Sequence, residues 1–193
     1  ALFDIMKFED VSREVLLRTP ANKIYDEFSD WLKEYDPEFY KLFTRDKNYS
    51  EKIIDVGRNG NRPRKDLTSW KQARDFFSFY FPETFKVEDE FPERVSKEDR
   101  YKILKQYLTS FNIKDDNSEW FQKIRDITES MGYAVKPKDF KKNPDMYKGS
   151  VSDVSGVIRV AITGRTNSPD LWEICQLIGE DEMTRRINLA IAG

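Results

Sequence analysis

The 193-residue chain contains no histidine and a single cysteine, Cys175. Without imidazole there is no Ser-His-Asp triad, no Cys-His pair and no histidine ligand for zinc, which closes the commonest routes to nucleophilic and metal-assisted catalysis. One cysteine can form neither an intramolecular disulfide nor a cysteine-built zinc site, and it points to an intracellular protein. Glycine and proline are sparse, at eight residues each, and neither GxGxxG nor GxxxxGKS/T occurs, so no glycine-rich phosphate loop is in view. No apolar run approaches the roughly 20 residues that span a bilayer, and the N-terminus lacks the basic-then-apolar layout of a signal peptide. The first residue is Ala1 and not Met, as expected of a processed chain or of a piece of a longer one. Carboxylate pairs remain available for acid-base work, but nothing singles one out. The expectation is a binder and not a catalyst.

What is present is charge and helical periodicity. Lys plus Arg number 33 against 35 for Asp plus Glu, so any nucleic-acid partner must be met by a local basic patch and not by the overall field. Ile24, Phe28, Trp31, Leu32 and Tyr35 recur at helical spacing and predict a helix from Pro20 to Tyr35, with Thr19 as its cap and Pro20 at its first position. Shorter helices are expected over Pro37 to Phe43 and Tyr49 to Val56, before the polar turn Gly57 to Pro63. Another begins near Thr68 and carries FFSFYF, Phe76 to Phe81. These rings could stack on bases, but their helical spacing beside Ala73 favours core packing.

The segment PETFKVEDEFP, Pro82 to Pro92, has two prolines, clustered acids and no stripe, and marks a boundary. The expected division is 1–90 and 91–193. Ser96 with Asp99 resembles a capping box, opening a helix with Tyr101, Leu104, Leu108 and Phe111 on one face. A second helix over Ser118 to Met131 is stopped by Gly132. Val154, Val157, Ile158, Ala161 and Ile162 predict a helix up to Gly164, where a shorter window would suggest a strand. Ser168 and Pro169 are expected to open the next helix, with Leu171, Ile174, Cys175 and Ile178 inward. Met183, Ile187, Ala190 and Ile191 mark the last. The fold class expected is all-α, in two packed helical subdomains.

Two stretches invite a ligand. From Arg45 to Arg74 the cations Arg45, Lys47, Lys52, Arg58, Arg62, Arg64, Lys65, Lys71 and Arg74 outnumber the acids, and Arg62, Arg64 and Lys65 flank Pro63 in a turn where guanidinium forks could clasp phosphate or a base edge. A solvated basic loop fits equally well. At the junction Thr163 to Pro169, free helix-end amides, Arg159 and Arg165 favour an anion, while Asn167 and Ser168 offer groups suited to base edges. An ordinary connection with a normal cap is the alternative.

RVAITGRTNSPDLWEICQLIGEDEMTRRI, Arg159 to Ile187, resembles the C-terminal signature of bacterial glutamyl-tRNA synthetases. The N-terminal Ala1-Leu2-Phe3-Asp4 with Lys7, Phe8 and Ser12, the stretch NRPRKDLTSW from Asn61 to Trp70, and YKGSVSDVSGVIRV from Tyr147 to Val160 resemble the same family in collinear order, in the form found in clostridia. The resemblance implies a class I aminoacyl-tRNA synthetase whose Rossmann catalytic domain, absent here, holds ATP and magnesium. This chain would then be the two anticodon-binding subdomains, with no catalytic residue, no metal and no cofactor of its own. Its partner would be tRNA(Glu), with tRNA(Gln) left open, and it would be a cytoplasmic monomer without a membrane association. Arg159, Asn167, Ser168, Pro169 and Leu171 match positions against the later anticodon bases. Arg62, Arg64 and Lys65 match the region of the first base. Arg165 is not assigned by the resemblance and is a candidate phosphate partner. The segment from Pro82 to Lys148 matches the shorter bacterial forms poorly, which leaves its contacts open. A helical protein-interaction module and the related end of a class I lysyl-tRNA synthetase are the rivals, and the TGRTNSPDLW turn argues against the second.

Overall fold

A computed structural model describes residues 4–59 and 62–193. Ala1 to Phe3 of the resembling N-terminal segment, and Gly60 and Asn61 of the polar turn, lie outside the described residues. Among the described residues there is no strand, and an isolated bridge pairs Ala134 with Ser150. The fold is all-α. The chain forms two compact units, Ala1–Phe85 and Lys86–Gly193.

In the first unit the helices are α1 (Ile5–Arg18), α2 (Ala21–Tyr35), α3 (Pro37–Phe43), α4 (Lys47–Asp55) and α5 (Trp70–Phe77). The stripe on α2 places Ile24, Phe28 and Leu32 in the core, while Tyr35 at its end is exposed. Phe28 meets Phe43 edge-on at 5.0 Å, and Phe39 meets Phe81 at 5.3 Å. Such ring pairs add roughly 0.5–1.5 kcal/mol beyond their burial. FFSFYF is core as expected: the α-helix tightens into a 3₁₀ turn over Ser78–Tyr80, and Phe77, Phe79, Tyr80 and Phe81 are all buried. Thr19 does not cap α2. Its hydroxyl donates instead to the Val15 carbonyl at 2.8 Å and closes the end of α1, leaving Pro20 to begin α2 without a side-chain cap. The helix α1 buries none of its side chains. Its last carbonyls, those of Leu16, Leu17 and Thr19, accept from the guanidinium of Arg58 at 2.5–3.0 Å, the favourable sign for a cation at a helix C-terminus.

In the second unit α6 (Lys97–Ser110), α7 (Asn117–Ser130), α9 (Val151–Thr163) and α11 (Glu180–Ala192) pack together, with α8 (Pro137–Lys142) in the α7–α9 connection and α10 (Leu171–Ile178) before α11. α9 is central. The five residues of its predicted stripe are fully buried, and Val160 with them, because it packs on α6, α7 and α11 at once. Ser96 caps α6 through the Asp99 amide at 3.1 Å, but the Asp99 carboxylate does not complete the box. It takes the Tyr133 hydroxyl at 3.0 Å and the Lys148 ammonium at 3.0 Å. The buried face of α6 is Ile103, Leu104 and Tyr107, and Tyr101 points outward. The helix predicted over Ser118 to Met131 starts one turn-residue earlier, on a complete capping box between Asp116 and Glu119. The segment after Phe85 is tied into this unit, since the amides of Glu88 and Asp89 donate to the Gly164 carbonyl at 2.9 and 3.0 Å.

Candidate nucleic-acid interface

The α9–α10 turn is built from the end of α9 outward. Gly164 ends the helix with φ of +75°, a left-handed conformation that costs a side-chain-bearing residue roughly 1–2 kcal/mol. A Cβ there would lie 2.0 Å from the Lys86 carbonyl oxygen, so space and backbone both require glycine. The Thr163 hydroxyl donates to the Arg159 carbonyl at 2.9 Å and accepts the Arg165 amide at 3.2 Å, which turns the chain.

Arg159, one turn back on α9, reaches across the loop. Its guanidinium donates to the Ser168 carbonyl at 3.2 Å, to the Ser168 hydroxyl, and to the Pro169 carbonyl at 2.9 Å. Ser168, Pro169 and Leu171 are thereby buried, whereas Thr166 and Asn167 are exposed at the tip. Ser168 and Pro169 do not open α10. Asp170 does, accepting the Glu173 amide at 3.0 Å, because Arg159 has already engaged the Ser168 oxygens. Farther along α10 the indole of Trp172 donates to the Asp115 carbonyl and Gln176 to that of Ile113, both at 2.9 Å. Behind it Trp120 donates to the Tyr107 hydroxyl, which lies 3.7 Å from the Cys175 sulfur. Burial pushes the Cys175 thiol up to about 12, so it is an inert core group.

Two acids that the sequence offered only as a boundary marker hold the other side of the turn. The Asp89 carboxylate accepts the Thr166 amide at 2.6 Å and the Thr166 hydroxyl at 2.7 Å. Those two bonds, the amide first, hold its pKa below the ordinary aspartate value. Glu88 pairs with Arg165 at 3.1 Å. Arg165, the candidate phosphate partner, thus has a carboxylate beside it. The sequence signal for this clasp was slight, since nothing local ties Glu88 and Asp89 to residues so distant in the chain.

The basic turn of the first unit divides differently. Arg64 is spent on Asp66, with two parallel bonds of 2.7 Å, and its amide donates to the Gly57 carbonyl at 2.8 Å. Lys65 pairs with Glu14 of α1. Arg62 is exposed and stands clear of that pairing. Of the three cations read from the sequence, Arg62 and Lys65 are exposed, Lys65 with Glu14 beside it, while Arg58 is drawn into bracing α1.

Residues 147–191, which include α9, the turn and α10, match the model of the anticodon binding domain family. With the all-α architecture around it, this defines an anticodon-binding module of the aminoacyl-tRNA synthetase kind. The chain is 49% identical over 187 residues to the glutamate-tRNA ligase of Acetivibrio thermocellus, covering 97% of this chain and 34% of that protein. To the glutamate-tRNA ligases of Clostridium perfringens strain 13 and Sorangium cellulosum it is 37% and 38% identical, with 97% of this chain covered in each and 35% and 33% of those proteins. Crystal structures of glutamate-tRNA synthetases from Elizabethkingia anophelis and Elizabethkingia meningosepticum share the fold, with TM-scores of 0.60 and 0.62 at 20% and 19% identity. They cover 99% and 98% of this chain and 32% of each of those chains. The chain spans about a third of the length of the curated relatives it matches. It corresponds to the C-terminal anticodon-binding region of bacterial glutamate-tRNA ligases, which are class I aminoacyl-tRNA synthetases. Among the described residues no helix is long and apolar enough to cross a membrane.

Proposed function

We propose that this chain recognises the anticodon of tRNA(Glu) for a glutamate-tRNA ligase, and that it takes no part in the chemistry of aminoacylation. The observation that carries the reading is the α9–α10 turn, in which Arg159 and Asp89 fix the backbone from two sides and leave Thr166 and Asn167 at the tip. RNA sequence is read mainly on unstacked bases of single-stranded loops, and a rigid polar tip between helix ends meets such bases without paying to order itself. Asn167 faces the base edges in this reading. Arg159, Ser168, Pro169 and Leu171 give the tip its shape, and Arg165 meets a phosphate when Glu88 gives way. Arg62 is the contact toward the first anticodon base, with Arg64 and Lys65 fixing the turn that carries it.

The parent enzyme would activate glutamate with ATP and magnesium held elsewhere, so this chain would need no cofactor. It would act as a monomer in the cytoplasm, and discrimination between tRNA(Glu) and tRNA(Gln) would fall to the Arg62 region. Filter binding at moderate salt, with tRNA(Glu) transcripts carrying native and altered anticodons, tests the reading. A preference for the native anticodon is expected, together with no ATP-pyrophosphate exchange by this chain alone. Equal affinity for both transcripts would instead favour a helical module that binds protein.

A further inference from the structure

The connection between α7 and α9 sends Tyr133 and Ala134 into the core, but beyond them it turns outward. Neither α8 nor the 3₁₀ turn Pro144–Met146 buries a side chain. Yet the connection is firmly rooted, for the Ala134 amide donates to the Gly149 carbonyl at 2.9 Å, the Val151 amide to the Ala134 carbonyl at 2.8 Å, and the Lys148 amide to the Gly132 carbonyl at 3.2 Å. The outer part of the loop, from Lys136 to Met146, buries no side chain and is accounted for by what it displays.

It displays positive charge. Lys136, Lys138, Lys141 and Lys142 are exposed, and Lys138, Lys141 and Lys142 stand at i, i+3 and i+4, one face of α8. None of these four ammonium groups has a hydrogen-bond or ion-pair partner among the described residues. Some other exposed lysines are matched, Lys41 with Glu38 at 2.7 Å, Lys102 with Glu98 at 2.5 Å and Lys47 with Asp26 at 3.4 Å, and those without a partner, such as Lys33 and Lys71, do not gather four to a short loop. Two acids, Asp139 and Asp145, accompany the four lysines in the loop. Like charges gathered without partners repel one another, and a polyanion relieves that repulsion.

We propose that this loop is a second RNA-contact surface, on which Lys136, Lys138, Lys141 and Lys142 bind the sugar-phosphate backbone of the tRNA whose anticodon meets the α9–α10 turn. The proposal rests on the anticodon-binding reading above. The loop is rooted at the start of α9 and the turn lies at its end. Thirteen helical residues separate them, about 20 Å at 1.5 Å per residue. Base reading at one end and backbone contact at the other would fix the register of one RNA arm along α9.

The test compares the wild-type chain with a variant carrying Lys136→Gln, Lys138→Gln, Lys141→Gln and Lys142→Gln, titrated with native-anticodon and altered-anticodon tRNA(Glu) between about 50 and 200 mM salt. A control variant, Lys33→Gln with Lys41→Gln, lowers the charge of the other unit, and circular dichroism verifies the fold of all three. The loop variant should bind more weakly with a log–log salt slope shallower by about three to three and a half, at roughly 0.7–0.9 for each of four lost phosphate contacts. Its ratio of affinities for the two anticodons should not change. An unchanged slope, or an equal change per charge in the control, would overturn the proposal. Loss of the anticodon ratio in the variant would also overturn it, by placing the lysines on bases. Absence of that ratio in the wild-type chain counts against the anticodon reading instead, and the slope comparison still decides the loop.

Discussion

In the proposed reading Arg159 serves the site by shaping it. Its guanidinium satisfies three acceptors on Ser168 and Pro169, and hydrogen bonds to a charged group are worth about 1.5–3 kcal/mol each where fully removed from water. Arg159→Ala should cost about 1–3 kcal/mol of stability in urea unfolding and weaken tRNA binding as well. Lys at this position should not restore binding, because an ammonium lacks the planar fork. Lost binding with unchanged stability would instead make Arg159 a direct base contact. Glu88 works in the opposite sense. Glu88→Gln removes the carboxylate beside Arg165, and the variant should bind tRNA severalfold more tightly with a salt slope steeper by about one. Weaker binding would show that the pair shapes the turn and does not hold Arg165 back. Asp89 adds a pH dependence. Its folded pKa lies below the unfolded value, so its contribution to stability is present above the unfolded pKa and is lost as pH falls through the folded one. Asp89→Asn should therefore flatten the acid limb of a thermal stability profile.

At the scale of elements, the α9 stripe was plain in the sequence because a helix packed on three neighbours must be apolar in a helical period. The turn after it was legible as a glycine stop, and Gly164→Ala tests that stop. The expected loss exceeds the roughly 1–2 kcal/mol of left-handed backbone strain, since the Lys86 carbonyl must also move. Differential scanning calorimetry would show it as a lowered Tm, and fluorescence from Trp120 and Trp172 would place it in the second unit. Helix beginnings were read less well. Thr19 and Ser168 looked like caps, but a hydroxyl beside a proline can bond backward to a preceding turn, as Thr19 does with Val15, or be claimed by a distant guanidinium, as Ser168 is by Arg159. Sequence shows which groups can donate and accept. It does not show which partner arrives, when that partner comes from a helix face or a strap many residues away. For the same reason Glu88 and Asp89 passed as boundary acids, and α8 had no apolar stripe to announce it.

For the whole molecule, the balance of 33 cations and 35 acids conceals an uneven spread. Many cations are closed into ion pairs with the chain's own carboxylates, while the α8 loop and Arg62 are left to solvent. The two compact units part after Phe85, a few residues before the 90/91 division expected from the acid-rich, proline-bounded stretch after Phe81. The short run from Lys86 belongs with the second unit because its amides are bonded to Gly164. That bond also sets an order of events during synthesis. The strap at Glu88 and Asp89 leaves the ribosome well before α9 exists, and must wait, unpaired, until the turn it grips has been made. Only then does the tip gain a fixed shape, so a nascent or truncated chain ending within α9 would carry every cation of the α8 loop and still lack the turn proposed to read the anticodon.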